Sequence, residues 1–129
     1  MKPVNLAYII DDDEVIIYLT NRLFSKEAFS NKVKTFTCAE AALFELQKAI
    51  QNNEEIPDVI LFDINMPKMD GWMFIQEFEK LGCKIPTFVF TSSIDQNDKT
   101  KSYQYRAIKG FITKPLTKLS IEKIKRIIA

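Results

Sequence analysis

Four short blocks of this 129-residue chain carry side chains that could handle a charged group. They are the acidic run Asp11, Asp12, Asp13 and Glu14; Asp63, alone after an apolar run; the hydroxyls Thr91, Ser92 and Ser93; and Lys114 ahead of Pro115. If Asp11, Asp12 and Asp63 met in one crevice they would repel each other, and at least one would be driven to take a proton. A hard divalent cation relieves that conflict. Mg2+ (or Mn2+) takes oxygen ligands and keeps several waters, so two carboxylates and a carbonyl suit it. Lys114 would offset the remaining charge and pair with an incoming anion, best met by a phosphoryl group. An aspartate can be the nucleophile toward such a group. Positioning and charge neutralisation then do most of the work. Taken singly, each block has a plainer reading. The acidic run would open a helix and favour its dipole, Asp63 would start a loop, the hydroxyls would cap, and Lys114 would be a solvated lysine. Their order and common placement are what those readings leave to coincidence.

The common placement comes from alternating elements. Leu6 to Ile10 is an apolar run that ends in the acids, and Val15, Leu19 and Leu23 at steps of four predict a helix after it. Lys32 to Thr37 reads as a shorter strand. Thr37 and Glu40 have the spacing of a capping box, so Thr37 is assigned to capping. The helix it opens carries Ala39, Ala42, Leu43, Leu46 and Ile50 on one face and stops at Asn52 and Asn53. Val59 to Phe62 is continuously apolar, as a strand covered on both faces should be. Trp72, Ile75, Phe78 and Leu81 mark a third helix, with Gly82 at a left-handed cap. Pro86 to Phe90 is another buried strand. Residues 95 to 109 form a ragged, loosely held helix with Tyr103, Tyr105, Ala107 and Ile108 as its stripe. Gly110 to Thr113 is a short strand, and Leu119 to Ile128 a last helix with Ile121, Ile124 and Ile128 inward. Five strands alternating with five helices imply right-handed βαβ units and a parallel sheet. Ligands of such a sheet bind at the carboxyl ends of its strands. Four of the five strands there deliver Asp11 and Asp12, Asp63, Thr91 and Lys114.

Composition narrows the chemistry. The chain has no histidine, so a Ser-His-Asp hydrolase and a histidine-liganded zinc enzyme are excluded. Cys38 and Cys83 lack metal or CxxC spacing and read as reduced, buried residues. No signal peptide or apolar run of membrane length appears, which implies a cytoplasmic protein without a membrane partner. The net charge of +1 gives no broad reason to bind nucleic acid directly, although bases crowd the last thirty residues.

The blocks resemble those of response-regulator receiver domains of two-component phosphorelay signalling, over essentially the whole chain. The matching stretches are Ile9 to Glu14; Asp58 to Gly71, with its specific Asp-x-x-Met-Pro-x-x-Asp-Gly spacing from Asp63; Val89 to Ser92; and Gly110 to Pro115. The resemblance implies a flavodoxin-like, doubly wound α/β fold of three layers, with five parallel strands in the order 2-1-3-4-5 and five helices. It implies that Asp63 is phosphorylated from a phosphohistidine on a histidine kinase or histidine phosphotransfer protein. By the same resemblance Asp12 is the direct metal ligand, Asp11 acts through a water, and Asn65 offers its backbone carbonyl. Thr91 and Ser92 lie at the phosphoryl-binding edge, and Lys114 pairs with a phosphoryl oxygen ahead of a cis Pro115. Phe111 takes the aromatic switch position, signalling by packing because it lacks a hydroxyl. Ser93 lies where the family tunes the lifetime of the modification. Asp70 and Gly71 shape a turn and open the third helix.

The expected protein is a single receiver domain over 1–129 with no output domain, a phosphoacceptor and not an enzyme. Self-phosphorylation and self-dephosphorylation with Mg2+ are still expected. Its output would be a protein-binding face of fourth helix, fifth strand and fifth helix, offered to a downstream protein. The segment 95–109 would repack on activation. The alternatives are a receiver-fold interaction module that is never phosphorylated, an aspartate-nucleophile phosphatase of the haloacid dehalogenase type, and a flavin carrier. The phosphatase needs a second aspartate where this chain has Asn65, and the acidic first turn is a poor seat for a flavin phosphate.

Overall fold

The computed structural model describes residues 2–129. Its elements are β1 (Val4–Ile10), α1 (Glu14–Lys26), β2 (Ser30–Phe36), α2 (Ala39–Gln51), β3 (Val59–Phe62), α3 (Gly71–Lys80), β4 (Thr87–Thr91), α4 (Gln96–Ser102), β5 (Ile108–Thr113) and α5 (Lys118–Ile128). All strand pairs are parallel and the order is β2-β1-β3-β4-β5. The expected α/β architecture is therefore present.

The apolar runs of the central strands conceal a period of two. In β1, Leu6, Tyr8 and Ile10 join a core with Ala39, Leu46, Trp72 and Phe78 of α2 and α3. Ala7 and Ile9, between them, join a second core with Phe24, Ile121 and Ile124 of α1 and α5. β3 divides the same way, Ile60 and Phe62 against Val59 and Leu61. Alternate side chains leave opposite faces of a strand, so a strand covered twice must be apolar at every position. β2, at the edge, is only partly buried. Its Lys32 and Lys34 pair with Glu55 and Glu45 and discourage further strand addition.

Four local readings differ from the structure. In α1 the inward residues are Thr20 and Phe24, with Ile16, Ile17 and Leu23 partly buried beside them. Val15 and Leu19 are exposed, Leu19 at 46%. With seven apolar or aromatic residues among its thirteen, this helix offers more than one steps-of-four stripe, and packing against the sheet chooses among them. In α2, Ala49 rather than Ile50 is buried, and Ile50 is 40% exposed. The capping box is not made: Cys38 occupies the N-cap and no side chain caps the helix, so Thr37 has no capping role. The helix read over 95–109 ends at Ser102, and Tyr105, Ala107 and Ile108 instead pack as a loop and strand start against the α2/α3 core. The helix that remains, Gln-Asn-Asp-Lys-Thr-Lys-Ser, contains no apolar side chain, and only Ser102 in it is buried. Gly82 has the expected left-handed backbone (φ 75°), and Asn53 (φ 54°) closes α2 in the same region.

The corrected stripe of α1 has a measurable consequence. Phe24→Ala should cost about 3–5 kcal/mol, as large core truncations do, and Leu19→Ala less than about 1 kcal/mol. Urea denaturation of both variants checks this, and equal losses would contradict the packing of α1.

Candidate functional site

The carboxyl ends of β1, β3, β4 and β5 lie side by side because the sheet is parallel. Ile10 is in register with Phe62, Phe62 with Val89, and Thr91 with Thr113. The next residues of each chain segment therefore emerge along one edge. Asp11 is fully buried, Asp63 nearly so, and Asp12 exposed. One carboxylate oxygen from each of the three falls within 4.8 Å of the others.

Local turns hold these acids in place. Asp63 N donates to the Ile10 carbonyl at 2.9 Å, tying the end of β3 to β1. Asp63 Oδ1 accepts from Asn65 N at 2.9 Å, and Asp11 Oδ1 accepts from Asp13 N at 2.9 Å. Asp13 in turn caps α1 by accepting from Val15 N and Ile16 N. Each site acid thus keeps its Oδ2 free of the backbone. Lys114 reaches across from the end of β5, with Nζ 2.6 Å from Asp11 Oδ2 and 3.1 Å from Asp63 Oδ2. The contact to Asp63 is an aligned hydrogen bond. The contact to Asp11 is the shorter of the two and makes a buried ion pair. The Lys114–Pro115 peptide bond is cis.

Electrostatics follows the crowding. Burial, followed by the nearby charge of Asp63, pushes the Asp11 carboxyl up against the opposing pull of Lys114 and the Asp13 amide. Burial alone would lower Lys114, but Asp11 and Asp63 outweigh it and hold the ammonium above its ordinary value. One lysine is too little positive charge for three carboxylates. The hard oxygen donors of Asp11, Asp12 and Asp63 and their spacing fit a small divalent cation.

The remaining residues sit around this cluster. Thr91 is buried, and its hydroxyl donates to the Ser93 carbonyl at 3.0 Å, while its own carbonyl accepts from Lys114 N at 2.7 Å. Ser92 and Ser93 are exposed, as is Asn65. Phe111 is 7% exposed, packed with the α2/α3 core. Asp70 caps α3 by accepting from Met73 N. Gly71 has a role that its sequence position did not reveal: a Cβ there would lie 2.5 Å from the Asp63 carbonyl oxygen and 2.5 Å from Ile64 Cα. The start of α3 therefore rests directly on the backbone of Asp63. Trp72, next along, stacks on Tyr105 with ring centroids 6.1 Å apart, and Lys101 Nζ lies 4.9 Å from its ring centre.

Residues 7–126 match the family model described as response regulator receiver domain. The chain is 26% identical over 127 residues to the probable methanogenesis regulatory protein FilR2 of Methanothrix harundinacea, covering 93% of this chain and 81% of that one. It is 28% identical over 110 residues to the DNA-binding transcriptional regulator NtrC of Klebsiella pneumoniae, covering 85% of this chain but 22% of that protein. Among solved structures, a two-component response regulator from Cytophaga hutchinsonii superposes with a TM-score of 0.89 at 23% identity, covering 98% of both chains. A response regulator receiver protein from Dyadobacter fermentans gives 0.78 at 28% identity, covering 95% of this chain and 97% of the other.

Two variants probe the site without any ligand. Gly71→Ala drives a methyl into backbone that cannot yield and should destabilise by roughly 1–3 kcal/mol or more, read by denaturant titration. Asp11→Asn should raise the melting temperature of the metal-free protein at pH 7. A carboxyl with a raised folded pKa favours folding most at low pH, and that contribution is lost as pH rises through the raised value. The variant's advantage should therefore shrink as pH falls toward the ordinary carboxylate value of 3.8. Calorimetry across that range checks it, and an unchanged gap would contradict the sign.

Proposed function

This chain belongs to the response regulator receiver domain family, and from that premise we propose that it is a phosphoacceptor switch whose modified residue is Asp63. The observation that supports this most is the cluster of three carboxylates within 4.8 Å of one another, faced by Lys114. The phosphoryl donor is a phosphohistidine of a histidine kinase or histidine phosphotransfer protein. A carboxylate oxygen of Asp63 forms a bond to phosphorus as the donor's nitrogen–phosphorus bond breaks, and the electron pair returns to the donor's imidazole. Asp12, Asp63, the Asn65 carbonyl and Asp11 would hold a Mg2+ ion, which would supply charge neutralisation for the transferred group. Lys114 would leave Asp63 Oδ2 and pair with a phosphoryl oxygen. Thr91, whose hydroxyl is spent on a neighbouring carbonyl, would turn to a second. Small acyl or amido phosphates can donate in the partner's absence, so slow self-phosphorylation is expected.

The readout is a change in the face formed by α4, β5 and α5, offered to a downstream protein. Phe111 connects it to the site, because it lies on β5 opposite Val89, two residues before Thr91. The apolar-free α4 is the element least anchored by burial and hence most easily displaced. The proposed compartment is the cytoplasm, where the unpaired Cys38 and Cys83 would stay reduced.

Incubation with Mg2+ and acetyl phosphate should add one phosphoryl group by mass. Mg2+ with beryllofluoride should change Trp72 fluorescence, because its stacking partners Tyr105 and Lys101 belong to the α4–β5 region. Asp63→Asn should lose both responses. A variant that is still phosphorylated would remove Asp63 as the acceptor.

A further inference from the structure

We propose that the hollow between α4, β5 and α5 docks an acidic protein segment with an apolar anchor residue. The proposal rests on the reading of this face as the output surface and adds the chemistry of its partner. Two adjoining hollows of about 340 and 270 Å³ lie there, and both are lined by Ile94, Phe111 and Lys123. Their apolar content is open to solvent: Ile94 and Tyr103 are exposed, and Leu119 is 76% exposed. Lys123 is fixed inside, its Nζ donating to the Phe111 carbonyl at 2.9 Å. The cations Lys99, Lys109 and Arg126 stand around this apolar floor. None of them forms an ion pair among the described residues. Glu122 is the one acid in the lining.

The charge is a property of the whole C-terminal region. Residues 99–129 hold nine of the eighteen Lys and Arg and one of the seventeen Asp and Glu. A chain of net charge +1 is thus divided into an acidic segment 1–98 and a basic segment 99–129, which gives Lys114 to the acidic site and Lys99, Lys109, Lys123 and Arg126 to this face. An apolar floor inside a charged rim is the anatomy of a protein–protein interface. The rim's sign selects an acidic partner and speeds its encounter. A second copy of this chain is disfavoured, because an isologous contact would set basic rim against basic rim. A nucleic acid would use the cations but leave the aliphatic Ile94 and Leu119 without a role, since strand binding needs stacking platforms and phosphate contacts.

The test titrates the whole folded protein with a short synthetic helix of Glu and Leu, Leu standing at i, i+3, i+4 and i+7. Binding is followed by two-dimensional amide NMR and fluorescence anisotropy. The controls are the same peptide with Gln for Glu and a single-stranded oligonucleotide of matched charge. Shifts should concentrate at Lys109, Phe111, Leu119 and Arg126, and affinity should fall as salt rises. Leu119→Ser should weaken binding about tenfold, a loss of ~1.4 kcal/mol. The double variant Lys109→Glu, Arg126→Glu should weaken it further at low salt and by less at high salt. Both changes are at exposed positions, so the remaining amide spectrum serves as the control for folding.

The proposal is overturned if shifts are absent or lie elsewhere. Equal binding of the Gln peptide, equal or tighter binding of the oligonucleotide through the same residues, or self-association through this face would each overturn it too. Beryllofluoride with Mg2+ is added to parallel samples. Shifts around Asp63 without peptide binding reject the docking proposal alone. Peptide binding with no beryllofluoride response keeps the docking surface and rejects the acceptor reading.

Discussion

Three carboxylates share one edge of a sheet with a single lysine, and the rest of the site is arranged around that imbalance. Two of the three, Asp11 and Asp63, are buried where water cannot screen them. Close like charges in such a place favour protonation, ion binding or an opposing charge. Lys114 supplies the last of these and is itself held charged by the acids it neutralises. The balance is incomplete, since one ammonium group faces three carboxylates.

Position is maintained by backbone more than by side chains. Asp63 is held through its amide to Ile10 and through its Oδ1 to Asn65, and Asp11 through its Oδ1 to Asp13. Those bonds consume one oxygen of each acid and leave the other directed at Lys114. Gly71 closes the arrangement from beneath, since only a residue without Cβ lets α3 approach the Asp63 carbonyl so closely. The site is rigid on this side. On the other, α4 offers no apolar side chain to the core. Its surroundings are tied by the Trp72–Tyr105 stack, the Lys101 contact with Trp72, and the Gln76 amide donating to Tyr105 at 3.2 Å. One rigid and one weakly held flank suit a two-state element.

The local charge pattern separates two tasks along the chain. Acids gather where a cation and a phosphoryl group would sit, and bases gather on the face read as output. Phe111 belongs to both regions, being buried in the α2/α3 core and lining both hollows of the basic face. A change in its packing would be felt on either side without any hydrogen bond from a ring hydroxyl.

The sequence by itself determined the α/β alternation, the two central strands, the left-handed Gly82 and the short set of residues able to do chemistry. Continuous apolar runs, abrupt acidic endings and turn residues are local signals that tertiary structure does not overrule. The family spacing around Asp63 added the strand order. Only the tertiary structure decided which stripe of α1 faces inward, because Val15, Leu19 and Leu23 and the set around Phe24 fit the helical period equally well. It alone decided that Thr37 caps nothing and that α4 stops at Ser102, since the residues after it gain more by packing on α2 and α3 than by continuing a helix. It also set the distances that matter: a chain read in one dimension places Asp11, Asp63 and Lys114 some fifty residues apart in turn, and parallel register brings them within a hydrogen bond's length of one ammonium group.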